Sequence, residues 1–145
     1  MAIYSEFQTL LEPTTLTGLT TKRGDVRHLE GNLKWEGHAI PESQRNWRGK
    51  NLLCLYCMED AVDNTAAGDL TVVVYHDKTT TTGNLTTPIM TLGPFKKEQI
   101  NLNLEQTGLF FRVELPKTLY NNIQVEIKST TAFKSGQVRA DLEFE

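Results

Sequence analysis

The sequence predicts an all-β protein, an antiparallel β-sandwich of two sheets in which residues 1–145 form a single domain. Three observations predict this class. Apolar residues recur at every second position in several segments, as they do in half-buried strands. Clusters of turn-forming residues recur about every ten residues, which is typical of a sandwich or barrel. Thr is frequent, and β-branched residues favour strands over helices.

The first 50 residues are the least regular part of the chain. Residues 1–20 are predicted to form an irregular arm, although TLTGLT (15–20) and VRHL (26–29) are candidates for one or two added strands. Residues 30–50 mix Gly, Pro, charged side chains and both Trp residues. We interpret residues 30–50 as a long ordered loop or an arm.

The middle of the chain contains a series of candidate strands. LLCLYCM (52–58) is continuously apolar, as expected for a strand covered on both faces or for a central strand of a sandwich. DLTVVVYH (69–76) is nearly as apolar, and PIMTL (88–92) is shorter. QINLNLE (99–105) alternates cleanly, and LFFRVEL (109–115) alternates up to a Pro that cannot donate to a ladder.

The carboxyl-terminal segment has the most regular alternation. Apolar side chains occupy every second position in two runs, at Ile123, Val125 and Ile127 and then at Val138, Ala140, Leu142 and Phe144. These runs predict two half-buried strands joined through Ser135 and Gly136. We expect this terminal hairpin to be part of a sheet and to have a structural role only.

Charge and hydropathy argue against nucleic-acid binding, binding to anionic lipid and a membrane span. The 15 basic and 18 acidic residues give a net charge of -3, which supplies no general attraction for nucleic acid or anionic lipid. Residues 20–50 are locally basic, with seven Lys or Arg against four Asp or Glu. No stretch has the roughly 20 apolar residues of a membrane span. The amino terminus has no basic region followed by an apolar run, so we expect synthesis in a reducing cytoplasm.

Cys54 and Cys57 have the Cys-x-x-Cys spacing of zinc ligands and redox pairs. Both uses require the chain to turn between the two sulfurs, whereas these residues lie inside an apolar β run. Positions three apart in a strand face opposite sides. We therefore expect buried structural thiols, with no metal and no cofactor.

Two further arrangements of titratable residues are candidate catalytic centres. His76 and Asp77 are adjacent at the end of a strand, where neighbouring side chains point apart. Glu114, Glu126 and Glu143 lie on the wet faces of different strands, and facing carboxylates would suit a glycosidase. Basic residues two positions away favour cross-strand charge pairing instead. We therefore expect no catalytic residues and no enzyme activity. The alternative, a glycoside hydrolase or a metal-dependent enzyme with this fold, would need a pocket lined by convergent polar groups.

The segment KWEGHAIPESQRNWRGK carries the residue types that are enriched in protein interfaces. Trp35, Arg45, Trp47 and Arg48 are the candidate contact residues. The alternative structural role for both Trp side chains is to plug the open end of the sandwich. The Thr-rich segment TTTTGNLTTP (79–88) is predicted to be an exposed loop that also touches a neighbour.

From about residue 68 onward the chain resembles the small jelly-roll decoration, or cement, proteins of tailed-bacteriophage capsids. The resemblance lies in the order of features: GDLTVVVYHD, a polar loop, TPIMTLGPF, a short strand, LFFRVELP and the closing IQVEIKSTTAFKSGQVRADLEFE. The resemblance implies a jelly roll, made in the host cytoplasm, that forms a homo-oligomer (a dimer or trimer) on the outer surface of the virion. Its partner would be the major capsid protein, bound without nucleic acid or membrane.

On this resemblance we expect a structural protein that stabilises the capsid shell, with residues 1–20 and 33–50 as its contacts. A second hypothesis is a carbohydrate-binding β-sandwich of a phage tail or receptor-binding apparatus. In that case Trp35, Trp47 or Tyr75 would stack on sugar rings.

Overall fold

The computed structural model describes residues 7–18, 21–28, 34–35, 38–39, 51–77, 83–116, 122–129 and 133–144. Strands and one short helix cover most of these residues. The strands are β1 (Phe7–Thr15), β2 (Thr21–Arg23), β3 (Arg27–His28), β4 (Lys34–Trp35), β5 (His38–Ala39), β6 (Asn51–Asp63), β7 (Leu70–Asp77), β8 (Thr87–Phe95), β9 (Leu109–Glu114), β10 (Asn122–Ser129) and β11 (Phe133–Phe144); the helix is α1 (Lys97–Ile100).

Two antiparallel sheets form the sandwich that the periodicity predicts. Sheet A has the order β1-β11-β6-β9, and sheet B has the order β2-β10-β7-β8 with β3 also paired to β10. The short strands β4 and β5 pair with each other. When β2 and β3 are counted as one strand and the short pair β4–β5 is set aside, the first strand pairs with the last, the second with the last but one, and so on inward: β1 with β11, β2 with β10, β6 with β9 and β7 with β8. That nested order is the jelly-roll arrangement of two Greek keys.

The core lies between the two sheets and is built from alternate strand positions. Leu53 and Leu55 of β6 face Val72 and Val74 of β7 across this layer, and all four are buried. Each fully buried side chain of this size contributes roughly 1.5–3 kcal/mol by leaving water. The prediction that β6 is a central strand covered on both faces is confirmed, because Leu52 and Cys54 on its other face are buried too.

The amino-terminal segment differs from the predicted arm. Phe7–Thr15 forms β1, an edge strand paired with β11. The register shifts between Thr9 and Leu11 and again between Leu11 and Thr14. These irregularities allow the adjacent Leu10 and Leu11 both to be buried, which breaks the two-residue pattern that marks a strand in sequence. Residues 1–6 lie outside the described part of the chain.

The segment QINLNLE is not a strand, contrary to its alternation. Its first two residues end α1, and the rest belong to a series of turns that continues to Thr107. The Asn101 side chain bonds the backbone of Ala61 at both its oxygen and its nitrogen, with distances of 2.8 Å each. Asn103 donates to the Leu109 carbonyl at 2.6 Å. The polar positions of the pattern thus hold turns together and do not form a wet strand face.

The two carboxyl-terminal strands do not form the predicted hairpin. β10 belongs to sheet B, whereas β11 belongs to sheet A. Ser135 and Gly136 lie inside β11, where the register with β6 is irregular. A Cβ added to Gly136 would lie 3.0 Å from the Ala61 Cα, so this Gly marks a bulge and a close approach, not a turn. The alternating faces predicted for Ile123–Ile127 and Val138–Leu142 are confirmed.

Among the described residues, no helix combines the length and the apolar character needed to cross a membrane.

Candidate functional site

Three strand ends meet at one end of the sandwich, which we call the loop end. His28 closes β3 and Asp77 closes β7, and both lie opposite Asn122, the first residue of β10. Along the chain, β3 is followed by residues 29–50, and β7 is followed by the Thr-rich segment, residues 79–88, whose Thr87 and Pro88 already belong to β8. Both segments that the sequence singles out for contacts thus come after neighbouring strand ends in the chain.

Asp77 attaches the returning side of the Thr-rich loop to the loop end. Its carboxylate accepts hydrogen bonds from the Thr86 amide at 3.1 Å and from the Thr87 hydroxyl at 2.9 Å. These bonds, that of the Thr86 amide foremost, lower the pKa of Asp77. His76 lies opposite Ile123 and so faces the core side of β7, and burial lowers its pKa. The prediction that His76 and Asp77 point apart is confirmed.

Of the four predicted contact residues, one falls within the described strands. Trp35 lies in β4, opposite His38 of β5. Arg45, Trp47 and Arg48 lie outside the described residues, as does most of the predicted loop 30–50. The assignment of these four residues as contacts therefore stays a prediction.

A group of interacting side chains lies on the outer face of sheet A, and we call it the outer cluster. It consists of Cys54, Tyr56, Arg139, Asp141 and Glu143. Cross-strand register explains the grouping, because Asp141 lies opposite Cys54 and Arg139 lies opposite Tyr56. The intervening residues of β6 and β11 point into the core.

Burial and a carboxylate suppress the reactivity of Cys54. Burial foremost, together with the charge of Glu143 and a hydrogen bond to its carboxylate, raises the pKa of the Cys54 thiol to about 12. Burial also raises the pKa of Cys57, whose Sγ lies 3.1 Å from the Glu59 carbonyl on the core side of the sheet. The two thiols face opposite sides of β6, as predicted, and both are free and buried. Neither is poised as a nucleophile.

This arrangement predicts that neither thiol reacts in the folded protein. At pH 8 a soluble disulfide reagent such as dithionitrobenzoate should release no chromophore from the native chain, because the reactive thiolate is almost absent and access is closed. In denaturing guanidinium both thiols should react, giving two equivalents. Rapid labelling of the native chain at the rate of a free peptide thiol would contradict this account of the Cys pair.

The remaining members of the outer cluster bond one another. The Tyr56 hydroxyl donates to Glu143 Oε2, and the Arg139 guanidinium lies 4.7 Å from the centre of the Tyr56 ring. Burial and the Glu143 carboxylate raise the pKa of Tyr56. Arg139 Nη2 lies 3.0 Å from Asp141 Oδ2. Asp141 is only 2% exposed, and burial raises its pKa despite that ion pair.

The outer face of sheet B carries a second set of interacting residues, the Arg23 network. Arg23 and Glu126 lie directly opposite each other on β2 and β10, with Nε 2.8 Å from Oε2. The Tyr75 hydroxyl donates to the other oxygen of Glu126 at 3.1 Å, and the Arg23 guanidinium lies 4.2 Å from the Tyr75 ring centre. One face of the Tyr75 ring is thus covered, which argues against the sugar-stacking role considered for Tyr75.

Gln124 extends the Arg23 network to the segment 83–86. Its Oε1 accepts from Arg23 at 3.1 Å and from the Leu85 amide at 2.9 Å, and its Nε2 donates to the Gly24 carbonyl at 2.9 Å. Arg23 also donates to the Leu85 carbonyl at 2.8 Å. The segment is therefore bound over sheet B, and Gln124 and Glu126 are buried at 2% and 5% exposure.

The three carboxylates considered as a glycosidase pair do not come together. Glu143 and Glu114 share a row on the outer face of sheet A but are separated by Leu52, which places their strands about 10 Å apart. Glu126 lies on the outer face of the other sheet. The charge pairing predicted for such positions is present at Glu126, whose Oε1 also lies 3.4 Å from Lys128 Nζ.

Within the described ranges, no three or more His, Cys, Asp or Glu side chains form a group that could hold a metal ion.

Sequence reasoning missed the Arg23 network because its members are far apart in the chain. Arg23 and Glu126 are separated by 103 positions and Leu85 and Gln124 by 39. Gln124 and Glu126 occupy positions that alternation assigns to solvent. The one available signal in sequence was the alternation of Gln124, Glu126 and Lys128 with apolar residues, and it does not identify their partners.

Comparison with known proteins adds no family. No protein-family model matches the chain, and no curated protein matches its sequence.

Proposed function

We propose that the chain is a capsid decoration protein of a tailed bacteriophage, which binds the outside of the shell and stabilises the major capsid protein. The observation that carries the proposal is the loop end. Along the chain, the segments that contain residues 33–50 and residues 79–88 follow two strands, β3 and β7, that end side by side there. A rigid sandwich that presents two polar and aromatic loops at one end suits a protein whose task is attachment.

The bonding of the sheet faces supports a structural role for the rest of the molecule. Arg23 pairs with Glu126 in the Arg23 network, and Arg139 pairs with Asp141 in the outer cluster. The thiol and the phenol in the outer cluster have raised pKa values and stay protonated at neutral pH. These groups are engaged in holding β2 to β10 and β6 to β11, while the loops are available for contacts.

The same contact site recurs many times on a capsid shell, so each individual contact can be weak while the overall attachment is firm. An oligomer that bridges several capsid subunits binds each one at a high effective concentration after the first contact. Modest individual contacts through Trp35, Arg45, Trp47 and Arg48 then suffice for firm attachment. The proposed localisation is the outer surface of the virion.

The experiment is a binding assay on emptied phage heads that lack this protein. Purified chain added to such heads should co-sediment, saturate at a fixed number of copies per head and raise the temperature at which the heads disrupt. A parallel glycan array tests the carbohydrate-binding alternative. A clear glycan signal with no binding to heads would replace the decoration role by sugar recognition.

A further inference from the structure

Segment 83–86 lies over sheet B without being a strand of that sheet, since β8 begins only at Thr87. Among the described residues, no backbone-to-backbone hydrogen bond joins this segment to another part of the chain. Two side chains bind its backbone instead. The Leu85 amide donates to Gln124 Oε1 at 2.9 Å, and the Leu85 carbonyl accepts from Arg23 Nη1 at 2.8 Å. We call this segment, attached through side chains, the strap.

Gln124 is the centre of this attachment because its amide group uses its complete hydrogen-bonding capacity. A glutamine amide has two acceptor positions on its oxygen and two donor hydrogens on its nitrogen. Oε1 accepts from the Leu85 amide and from Arg23, at 2.9 and 3.1 Å. Nε2 donates to Asn84 Oδ1 at 3.0 Å and to the Gly24 carbonyl at 2.9 Å. Since Gln124 is 2% exposed, each bond that is lost leaves a buried polar atom unpaired.

The other attachments of the strap are few and lie near its returning end. The Asp77 carboxylate accepts from the Thr86 amide at 3.1 Å and from the Thr87 hydroxyl at 2.9 Å, and both bonds are exposed. The Leu85 side chain is buried, but it is not part of the apolar cluster between the sheets. Segments with few buried apolar contacts and exposed hydrogen bonds are the ones that open locally in folded proteins.

We propose that the strap opens and closes as a unit while the sandwich stays folded, and that Gln124 is the latch that keeps it closed. Gln124 and Asp77 bind neighbouring backbone amides, those of Leu85 and Thr86, so the release of one anchor weakens the other. Opening separates Leu85 from Arg23 and releases the returning side of the Thr-rich segment from sheet B. This motion belongs to the isolated chain and does not depend on shell binding.

Native-state hydrogen exchange tests the opening in the wild type, with each amide followed by NMR at several low concentrations of denaturant. The Leu85 and Thr86 amides should exchange at least about tenfold faster than the slowest amides of β7 and β10. Their rates should hardly respond to denaturant, because opening the strap exposes little surface. Rates and denaturant dependence equal to those of the slowest strand amides would overturn the proposal, since the strap would then open only with the whole fold.

Removal of the latch gives a second, independent readout at an amide that Gln124 does not bind. Gln124→Ala should speed exchange of the Thr86 amide at least about tenfold relative to the slowest strand amides, although its acceptor, Asp77, is unchanged. Asn84→Ala removes one bond of the latch at an exposed residue, so it should act in the same direction by a smaller factor. It carries the test if Gln124→Ala fails to fold. Gln137→Ala, at a strand glutamine of the other sheet, is the matched control and should leave the Thr86 amide as in the wild type. Exchange at Thr86 that stays at the wild-type rate without the latch would contradict opening as a unit.

Discussion

Replacing Glu126 by alanine is expected to lower the free energy of unfolding by about 3 kcal/mol. The carboxylate is 5% exposed and bonds Arg23 and Tyr75, while Lys128 lies 3.4 Å away. Removing it leaves the Arg23 charge, whose side chain is only 23% exposed, without its carboxylate, and breaking a buried pair from one side is more damaging than a surface change. Chemical denaturation measured at pH 7 gives the difference directly.

The same replacement predicts a defined pH dependence. Burial raises the pKa of Glu126, but the hydrogen bonds from Arg23 and Tyr75 outweigh it, so the pKa in the folded state is lowered. A carboxyl with a lowered folded pKa stabilises the protein above its unfolded pKa, near 4.3, and this stabilisation is lost as the pH falls through the folded value. The gap between wild type and Glu126→Ala should therefore narrow in acid.

Glu59 provides a matched control, since it is also a strand glutamate but is exposed. Glu59→Ala should change the free energy of unfolding by less than about 0.5 kcal/mol, as surface substitutions usually do. Equal losses for the two variants, or a Glu126→Ala gap that stays constant from pH 7 to pH 3, would show that the Arg23 network does not stabilise the fold.

The class of fold was predictable because burial on one face leaves a direct trace in sequence. β6, β7, β9 and β10 all carry the alternating or continuous apolar runs from which they were predicted. β1 was missed because its register shifts place the adjacent Leu10 and Leu11 in the interior. QINLNLE was misread because its Asn side chains bond the backbone of other segments, which alternation alone cannot reveal.

Contacts between distant segments were beyond the reach of the sequence. A Cβ on Gly24 would lie 1.9 Å from the Leu10 carbonyl oxygen, so β1 and the β2–β3 connection touch at this point. In sequence Gly24 is simply a residue in TTKRGD, typical of a turn. The closure of segment 83–86 over Gln124 likewise depends on hydrogen bonds across 39 positions. Alternation predicts which face a residue takes, but not which other segment covers that face.

The candidate contact residues could be chosen from the sequence only because they are Trp and Arg side chains in an irregular segment. Trp35 and Trp47 stand out by composition, and the structure adds that Trp35 lies in β4, which pairs with β5. The position of β9 at the side of sheet A was not predictable from sequence, since LFFRVEL has the pattern of any half-buried strand. That position follows from the strand order.

Truncation of both Trp residues is expected to abolish attachment to the shell. Buried aromatic anchors at interfaces often contribute about 2 kcal/mol or more each, so losing two weakens a single contact roughly a thousandfold. An oligomer multiplies this loss, because each of its linked contacts is weakened by the same factor. Trp35→Phe with Trp47→Phe is the matched control, since it keeps a ring at both positions and should retain part of the binding.

The most direct test of the account is whether the variant with both Trp residues replaced by alanine still attaches to emptied heads. This measurement distinguishes residues that bind the shell from residues that stabilise the fold. Our account predicts that Trp35→Ala with Trp47→Ala stays in the supernatant while its far-UV circular dichroism keeps the β spectrum of the wild type. Normal decoration of the heads by the well-folded variant would contradict it.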